Sequence, residues 1–323
     1  MIIYKACSVN APCKINLHLH IKERRSDGYH ELESIFAALA FGDTLLFELT
    51  GIEESWELLV NNAGAGRKDS FPQSELMEKN LISKAVALFR SRTGFRCGLR
   101  CNLQKRIPLS AGLGGGSSDA ASALLALDLL AKTHLSYEEL EEMAMLLGSD
   151  VPFFIQGGAA LVKGRGEYIE RLPPAGNYSI LLVKPPFGSS TLKAYASLDL
   201  YREKAALSLN VKTEKAIFAP ETQGFGFEEL VKIWQSPPDV WPFYNDFLPL
   251  LAETGIYREI LTMLNGEGAL FSGLSGSGSC CFGIFADPEK AMIAEKSVKI
   301  RGNTQNFTQL TFFLASGANP VLQ

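Results

Sequence analysis

The stretch from Ile107 to Leu130 reads IPLSAGLGGGSSDAASALLALDLL. Glycine and serine fill positions 114–118, a composition that reads as a soft loop. From Asp119 onward the chain turns to alanine and leucine, among the best helix formers. Glycines let a backbone take positive φ and come close to a ligand. A helix start offers free N–H groups and a partial positive charge. Ser117 and Ser118 add hydroxyl donors, and the leucines at 124, 125, 127, 129 and 130 predict a buried, rigid helix behind the loop. Together these features read as a phosphate cradle over Pro108, Leu109, Ser110, Ala111, Gly112, Leu113, Gly114, Gly115, Gly116, Ser117 and Ser118. The plainer alternative is a tight connection with Ser117 or Ser118 as the helix cap. A run of internal glycines has an entropic cost that such a connection does not require. Neither common phosphate motif fits. A P-loop needs a lysine just before its Ser or Thr, and none precedes Ser117. The dinucleotide fingerprint needs a third glycine where Ser117 stands, and a strand end about 20 residues on.

Other residues could do chemistry beside such a loop. In KINLHLHI, Ile15, Leu17, Leu19 and Ile21 alternate with Lys14, Asn16, His18 and His20, so a half-buried strand presents four polar groups on one face. His18 and His20 invite a zinc reading, but only His30 and His134 remain to complete a ligand set. Asp150 stands ahead of Val151-Pro152-Phe153-Phe154; it is either a turn aspartate before a proline or a reactive carboxylate in an apolar setting. DGYH puts Tyr29 and His30 in a polar loop after the first strand, and SGSGS spans Ser275 to Ser279 between two strand-like runs.

The elements that must position these groups are mixed. TLLFEL, CGLRCNLQKRI and SILLVKPP read as strands, and VPFFIQGGAALVKGRGE as short strands about Gly157-Gly158. NLISKAVALFRSRTG reads as a helix stopped at Gly94. LSYEELEEMAMLLG reads as a helix with Ser136 and Glu139 as a capping box and Gly148 as its stop. Regular βα alternation is absent, which predicts an α+β fold. With 323 residues, 46% hydrophobic and 20% charged, the chain has the size and composition of a globular protein with two domains. A net charge of −4 argues against nucleic acid as partner. No signal or transit pattern and no long apolar run stand in the sequence, so no membrane segment is expected. Six cysteines without a CxxC pair read as reduced thiols of a cytoplasmic protein.

PLSAGLGGGSSDAA resembles the second motif of the galacto-, homoserine, mevalonate and phosphomevalonate (GHMP) kinase superfamily, whose members bind ATP without a Walker lysine. APCKINLHL with RSDGYHELESIF, and LGSDVPFFIQGGAALVKGRGE, resemble the 4-diphosphocytidyl-2-C-methylerythritol kinases within it, and SGLSGSGSCCF is similar to the superfamily's third glycine motif. The likeness is close over 8–50, 103–200 and 270–285 and poor over 51–79 and 205–245, which read as extra sequence. The resemblance implies a two-domain GHMP kinase fold: a ribosomal-S5-like ATP-binding domain over 1–170 and a ferredoxin-like domain over 171–323 that completes the substrate site. It implies ATP and Mg²⁺, a small cytidine diphosphate-linked methylerythritol as substrate, and a monomer or weak homodimer. Lys14 and Asp150 match the family's catalytic pair, and Asn16 a polyol-binding group. Tyr29 and His30 match a box that stacks a cytosine and bonds its edge. The spacing of KPPFGSSTLKAY puts a second stacking ring at Tyr195 rather than Phe187. Gly276 and Ser277 carry over to the substrate site, and Ser118 is a Mg²⁺ candidate by position only. Other small-alcohol kinases of the superfamily, acting on homoserine or phosphomevalonate, are the alternative; those substrates have no base for the DGYH box to hold. A nucleotide-binding regulator without catalysis is a third reading, and the presence of both Lys14 and Asp150 speaks against it.

Overall fold

The structure, a computed structural model, describes residues 6–62, 79–207 and 226–323. Two long strands form its spine: β1 (Ala6–Arg24) and β2 (His30–Thr50), antiparallel and joined by the short turn at 25–29. β2 is long enough to serve two partners. Its first half, Leu32–Ala37, pairs with β5 (Ala159–Gly164), and its second half, Thr44–Thr50, pairs with β4 (Gly98–Lys105). β3 (Trp56–Asn62) lies parallel to β4, and β6 (Tyr168–Leu172) pairs with β5. The last strand, β11 (Val321–Leu322), returns to β1 and completes a seven-stranded sheet.

Four helices cover one face of this sheet. They are α1 (Leu81–Thr93), α2 (Gly115–Ala131), α3 (Tyr137–Leu147) and α4 (Val151–Gln156). α1 starts at an Asn80 cap and stops at Gly94 in the left-handed region, and α3 carries the Ser136–Glu139 capping box and ends at Gly148, as the sequence predicts. Leu124 and Leu127 of α2 are fully buried with Phe47, Phe89 and Phe153. Each such side chain contributes roughly 1.5–3 kcal/mol by leaving water. α2 is thus a fixed post at the centre of the layer.

The remaining chain builds a four-stranded antiparallel sheet in the order β10 (Phe307–Phe312), β7 (Ser179–Lys184), β9 (Cys281–Phe285), β8 (Phe271–Leu274). α7 (Thr254–Gly266) and α8 (Pro288–Arg301) cover its outer face through Tyr257, Ile260, Leu264 and Val298. Its inner face, with Ile180, Leu182, Phe282 and Ile284, meets Ile15, Ile35 and Leu39 of the first sheet in a shared core. α5 (Thr191–Leu207) and α6 (Phe227–Gln235) flank that junction. Mixed helices and sheets in this arrangement are the α+β fold the sequence predicts. Among the described residues no helix is long and apolar enough to cross a membrane.

Three sequence expectations change. VPFFIQ is the helix α4 and not a strand, because Val151-Pro152 sits at the first helical positions, where proline is tolerated. The glycine–serine run is not a loop before the helix: Gly114 is the cap, and Gly115 to Ser118 form the first turn. The polar face of β1 is not solvated, since Lys14, Asn16 and His18 are 4%, 3% and 2% exposed. A register shift between Asn16 and His18 splits that face. Lys14 and Asn16 look toward α2 and α4, whereas the His18 ring packs edge-on against Tyr244 and the His20 imidazole meets Asp246 Oδ2 at 3.0 Å. Of the poorly matching stretches, residues 63–78 and 208–225 lie outside the described residues; the described parts form β3 and the turn before it, the end of α5, α6 and the chain from there to Asn245.

Candidate active site

The cap of α2 is set by steric fit. Gly112 and Gly114 have φ of +74° and +70°, a region open to glycine. A Cβ on Gly112 would lie 2.1 Å from the Ser275 carbonyl oxygen, and one on Gly114 would lie 2.9 Å from Phe154 Cζ and 3.1 Å from Lys14 Cγ. Ala111 and Leu113 are buried and anchor the loop, and the Leu113 carbonyl accepts a hydrogen bond from the Lys14 backbone N–H at 3.0 Å. The Ser118 N–H already bonds the Gly114 carbonyl at 2.9 Å. The N–H groups of Gly115, Gly116 and Ser117 precede any intrahelical acceptor and sit on half-buried or exposed residues. The turn therefore holds several main-chain donors and the positive end of a rigid helix at the surface. Pro108, Leu109 and Ser110 form its outer rim, with Leu109 exposed and the Ser110 carbonyl accepting from the Ser189 N–H at 3.1 Å.

Lys14 and Asp150 meet beside this turn. Lys14 Nζ donates to Asn16 Oδ1 at 2.5 Å, lies 3.6 Å from Asp150 Oδ2 and sits 4.3 Å above the Phe36 ring. Burial pulls its pKa below the ordinary lysine value, and the Asp150 carboxylate partly opposes that shift. Asp150 occupies the cap position of α4, yet its side chain makes no capping bond there. That leaves the carboxylate, about a third exposed, directed between Lys14 and the open space. Asn16 is held on its other side, donating to Ser34 Oγ at 2.9 Å.

The SGSGS segment closes over the first loop. Ser275 Oγ donates to the Gly112 carbonyl at 2.8 Å and accepts from the Asn16 backbone N–H at 3.2 Å. Gly276 has a φ of +56° and would bring a Cβ within 3.4 Å of Asn16 Oδ1. Ser277 Oγ lies 3.0 Å from Thr191 Oγ1 at the start of α5. Gly276 and Ser277 thus stand next to the groups on β1, as the sequence reading places them.

The aromatic groups form the far end. His30 is 8% exposed and stacks on Tyr195, ring centres 5.0 Å apart and planes 22° apart. Tyr195 in turn meets Phe247 edge-on at 5.0 Å. The Tyr195 phenol is pushed up to about 12, chiefly by burial and then by the charge of Asp150. Tyr29 is 58% exposed, with the Arg165 guanidinium 4.8 Å over its ring. Phe187 belongs elsewhere: it packs against Tyr257, in the core under α7. A cavity of about 600 Å³ opens beside His30, lined by Lys22, Arg24, Asp199 and Arg202 among others.

Two features had no sequence signal. Beneath the first turn of α2, Lys105 Nζ pairs with Asp43 and, at 2.8 Å, with Asp119 Oδ2. Asp43 Oδ1 also accepts from the N–H groups of Arg106 and Ile107, at 2.5 and 2.8 Å. Asp119 is pushed up to about 7 by burial, with Asp43 adding to the shift and Lys105 opposing it. The other feature is Asp199, bonded to His30 across 169 residues of sequence.

A glycine-capped helix facing a buried lysine and its partly exposed carboxylate, with a second glycine loop docked against it, goes with the match of the chain to the GHMP kinases. Residues 80–158 match the GHMP kinases N terminal domain and residues 248–304 the GHMP kinases C terminal model. The chain is 34% identical over 301 residues to the 4-diphosphocytidyl-2-C-methyl-D-erythritol kinase of Heliobacterium modesticaldum, covering 93% of each protein. A crystal structure of a 4-(cytidine 5'-diphospho)-2C-methyl-D-erythritol kinase superposes with a TM-score of 0.71 at 27% identity, over 95% of this chain and 98% of that one. A homoserine kinase from Cytophaga hutchinsonii superposes almost as well, with a TM-score of 0.70 over 99% of both chains, but at 16% identity it shows the fold alone. The chain belongs to the 4-diphosphocytidyl-2-C-methyl-D-erythritol kinase family.

Proposed function

We propose that this kinase transfers the γ-phosphoryl group of ATP to the 2-hydroxyl of 4-diphosphocytidyl-2-C-methyl-D-erythritol, a step in isoprenoid precursor synthesis. The observation that supports this best is the placing of Lys14 and Asp150 between two different recognition ends: main-chain donors at Gly115 to Ser117, and aromatic groups at Tyr29, His30 and Tyr195. Phosphoryl transfer asks mainly for positioning and charge stabilisation. The first turn of α2 receives the ATP phosphates, with Pro108 to Leu113 shaping the approach. The cytosine lies against Tyr29 and the His30–Tyr195 pair, and Asn16, Gly276 and Ser277 hold the methylerythritol and its diphosphate. A lysine ammonium has three donors. One Lys14 donor is on Asn16 and another faces Asp150, which leaves a third for the acceptor hydroxyl or the transferred phosphoryl. Asp150 accepts the hydroxyl's hydrogen bond and then its proton as the oxygen attacks the γ-phosphorus. The bond from phosphorus to the bridging oxygen breaks, and ADP leaves.

Magnesium, which neutralises phosphate charge when bound with ATP, fits one group here. Ser118 Oγ is buried in the first turn of α2 and lacks a hydrogen-bond partner. Among the described residues no three His, Cys, Asp or Glu side chains gather as a metal site. A magnesium ion that binds with substrate phosphates needs only one or two protein ligands and keeps several waters. The same reading takes the chain as two domains divided near residue 170, with the C-terminal strand β11 returning to the first sheet, and as a monomer or weak homodimer and a cytoplasmic protein; its six cysteines are free and five are buried. The test is ADP release with 4-diphosphocytidyl-2-C-methyl-D-erythritol, homoserine and phosphomevalonate in parallel. Turnover on the first alone is expected. Preference for either of the others overturns the substrate assignment.

A further inference from the structure

α5 offers His30 two groups from one face. Tyr195 and Asp199 are four residues apart, so they stand one above the other on the helix. Tyr195 covers the flat side of the imidazole, and Asp199 Oδ1 meets its edge at Nε2, 2.7 Å away. Asp199 Oδ2 also faces Arg24 Nη1 at 3.9 Å. Among the described residues, Nδ1 of His30 makes no hydrogen bond. Both His30 and Asp199 line the cavity of about 600 Å³.

An ionised carboxylate accepts hydrogen bonds and cannot donate one. The hydrogen at the Asp199 contact is therefore on Nε2. In a neutral ring the other nitrogen then bears a lone pair, because the partner of one nitrogen fixes the state of the other. Cytosine carries an amino donor at the position where uracil carries a carbonyl acceptor. A lone pair at Nδ1 accepts from the first and opposes the second. Resting on the reading that a pyrimidine docks at His30, we infer that Asp199 is a positioning residue that fixes the tautomer of His30 and so makes the pocket choose an amino-bearing pyrimidine over a keto one. Asparagine at 199 can present either its oxygen or its amide N–H to Nε2, so it keeps the packing and removes the constraint.

The test uses the full chain as wild type, Asp199→Asn and Asp199→Glu. Dissociation constants for cytidine 5′-diphosphate, uridine 5′-diphosphate and ATP are measured by calorimetry, and ¹⁵N spectra report which nitrogen of His30 holds the proton. Wild type is expected to be protonated on Nε2 only and to prefer cytidine diphosphate. In Asp199→Asn the cytidine-to-uridine preference falls about tenfold, the scale of one base-edge contact, with ATP affinity unchanged; Asp199→Glu recovers part of it. An unchanged preference in Asp199→Asn, or a wild-type His30 protonated on Nδ1, overturns the role of Asp199 and leaves the kinase reading intact. A wild type indifferent to the base removes the pocket assignment itself.

Discussion

At the proposed phosphate end of the site, the donors at the surface are main-chain N–H groups on Gly115, Gly116 and Ser117, and the buried neighbours Ala111 and Leu113 hold the backbone. At the proposed base end the groups that stand out are side chains, Tyr29, His30, Tyr195 and Asp199, brought together from the turn between β1 and β2, the start of β2, and α5. The two ends also differ in exposure: the loop is anchored by buried Ala111 and Leu113, while Tyr29 stands largely in solvent. A site made of backbone can be rigid only if the chain behind it is packed. A site made of side chains can change what it recognises without disturbing the fold.

The comparison breaks first at the point between the ends. Asp150→Asn preserves the shape of the carboxylate and removes its charge. If Asp150 takes the hydroxyl proton, single-turnover rate falls by roughly 10²–10⁴, while ATP and cytidine diphosphate still bind. A loss below about threefold, far under what general-base catalysis supplies, would return Asp150 to a turn residue at the start of α4. Next in size is the base end. Tyr29→Ala removes a stacking face worth roughly 1–3 kcal/mol, so cytidine diphosphate binds about 5- to 150-fold more weakly. Phe187→Ala should leave that affinity alone and lower thermal stability, since Phe187 packs against Tyr257 under α7. Equal effects of the two changes on cytidine diphosphate would mean that the second ring was misplaced.

The phosphate end is legible in the sequence for the same reason that it is rigid. Backbone chemistry demands particular residue types at adjacent positions, and GLGGGSS states the demand directly. What composition could not give was the first turn itself: Gly115 to Ser118 look like loop by propensity, and the packed helix behind them overrides it. The base end needed a family resemblance, because Tyr29, His30 and Tyr195 are ordinary packing residues when read alone. Asp199 escaped even that reading. Its contact with His30 exists only once α5 has docked on β2. The Asp43–Lys105–Asp119 cluster was hidden likewise, since its members lie 62 and 14 residues apart.

That cluster gives a third, smaller effect. Asp119 is an acid with an ordinary value of 3.8, pushed up to about 7 in the folded chain, chiefly by burial. Folding then takes up a proton between these values. The native state holds more protons than the unfolded one, so the contribution of Asp119 to stability is full below about pH 4 and is lost as pH rises toward 7. The slope is at most about 1.4 kcal/mol per pH unit. Asp119→Asn, which cannot titrate, should flatten that part of the curve in denaturant titrations run across this range. An unchanged slope would show that Asp119 is ionised beneath the phosphate turn throughout.

The smallest effect, at Gly116, is read against its neighbour Gly112 and separates the two jobs of glycine within the loop. Gly112 has a positive φ and a Cβ there would collide with the Ser275 carbonyl. Gly112→Ala therefore strains the backbone by about 1–3 kcal/mol and forces the two glycine loops apart, so stability and ATP binding should fall together. Gly116 has neither constraint: it is exposed in the first turn of α2, and a Cβ there would come no closer than 3.8 Å, to Leu81. Alanine in a helix is favoured over glycine by roughly 0.8–1 kcal/mol, so Gly116→Ala should raise thermal stability slightly. If the N–H of this turn receives a phosphate, the added methyl stands at the ligand's side of the helix and ATP affinity should still drop. Stability and affinity then move in opposite directions at Gly116 and in the same direction at Gly112, read by thermal denaturation and calorimetry on the same samples. A Gly116→Ala variant that gains stability and binds ATP normally would mean that the phosphates approach the loop through Gly114 and Gly115 alone.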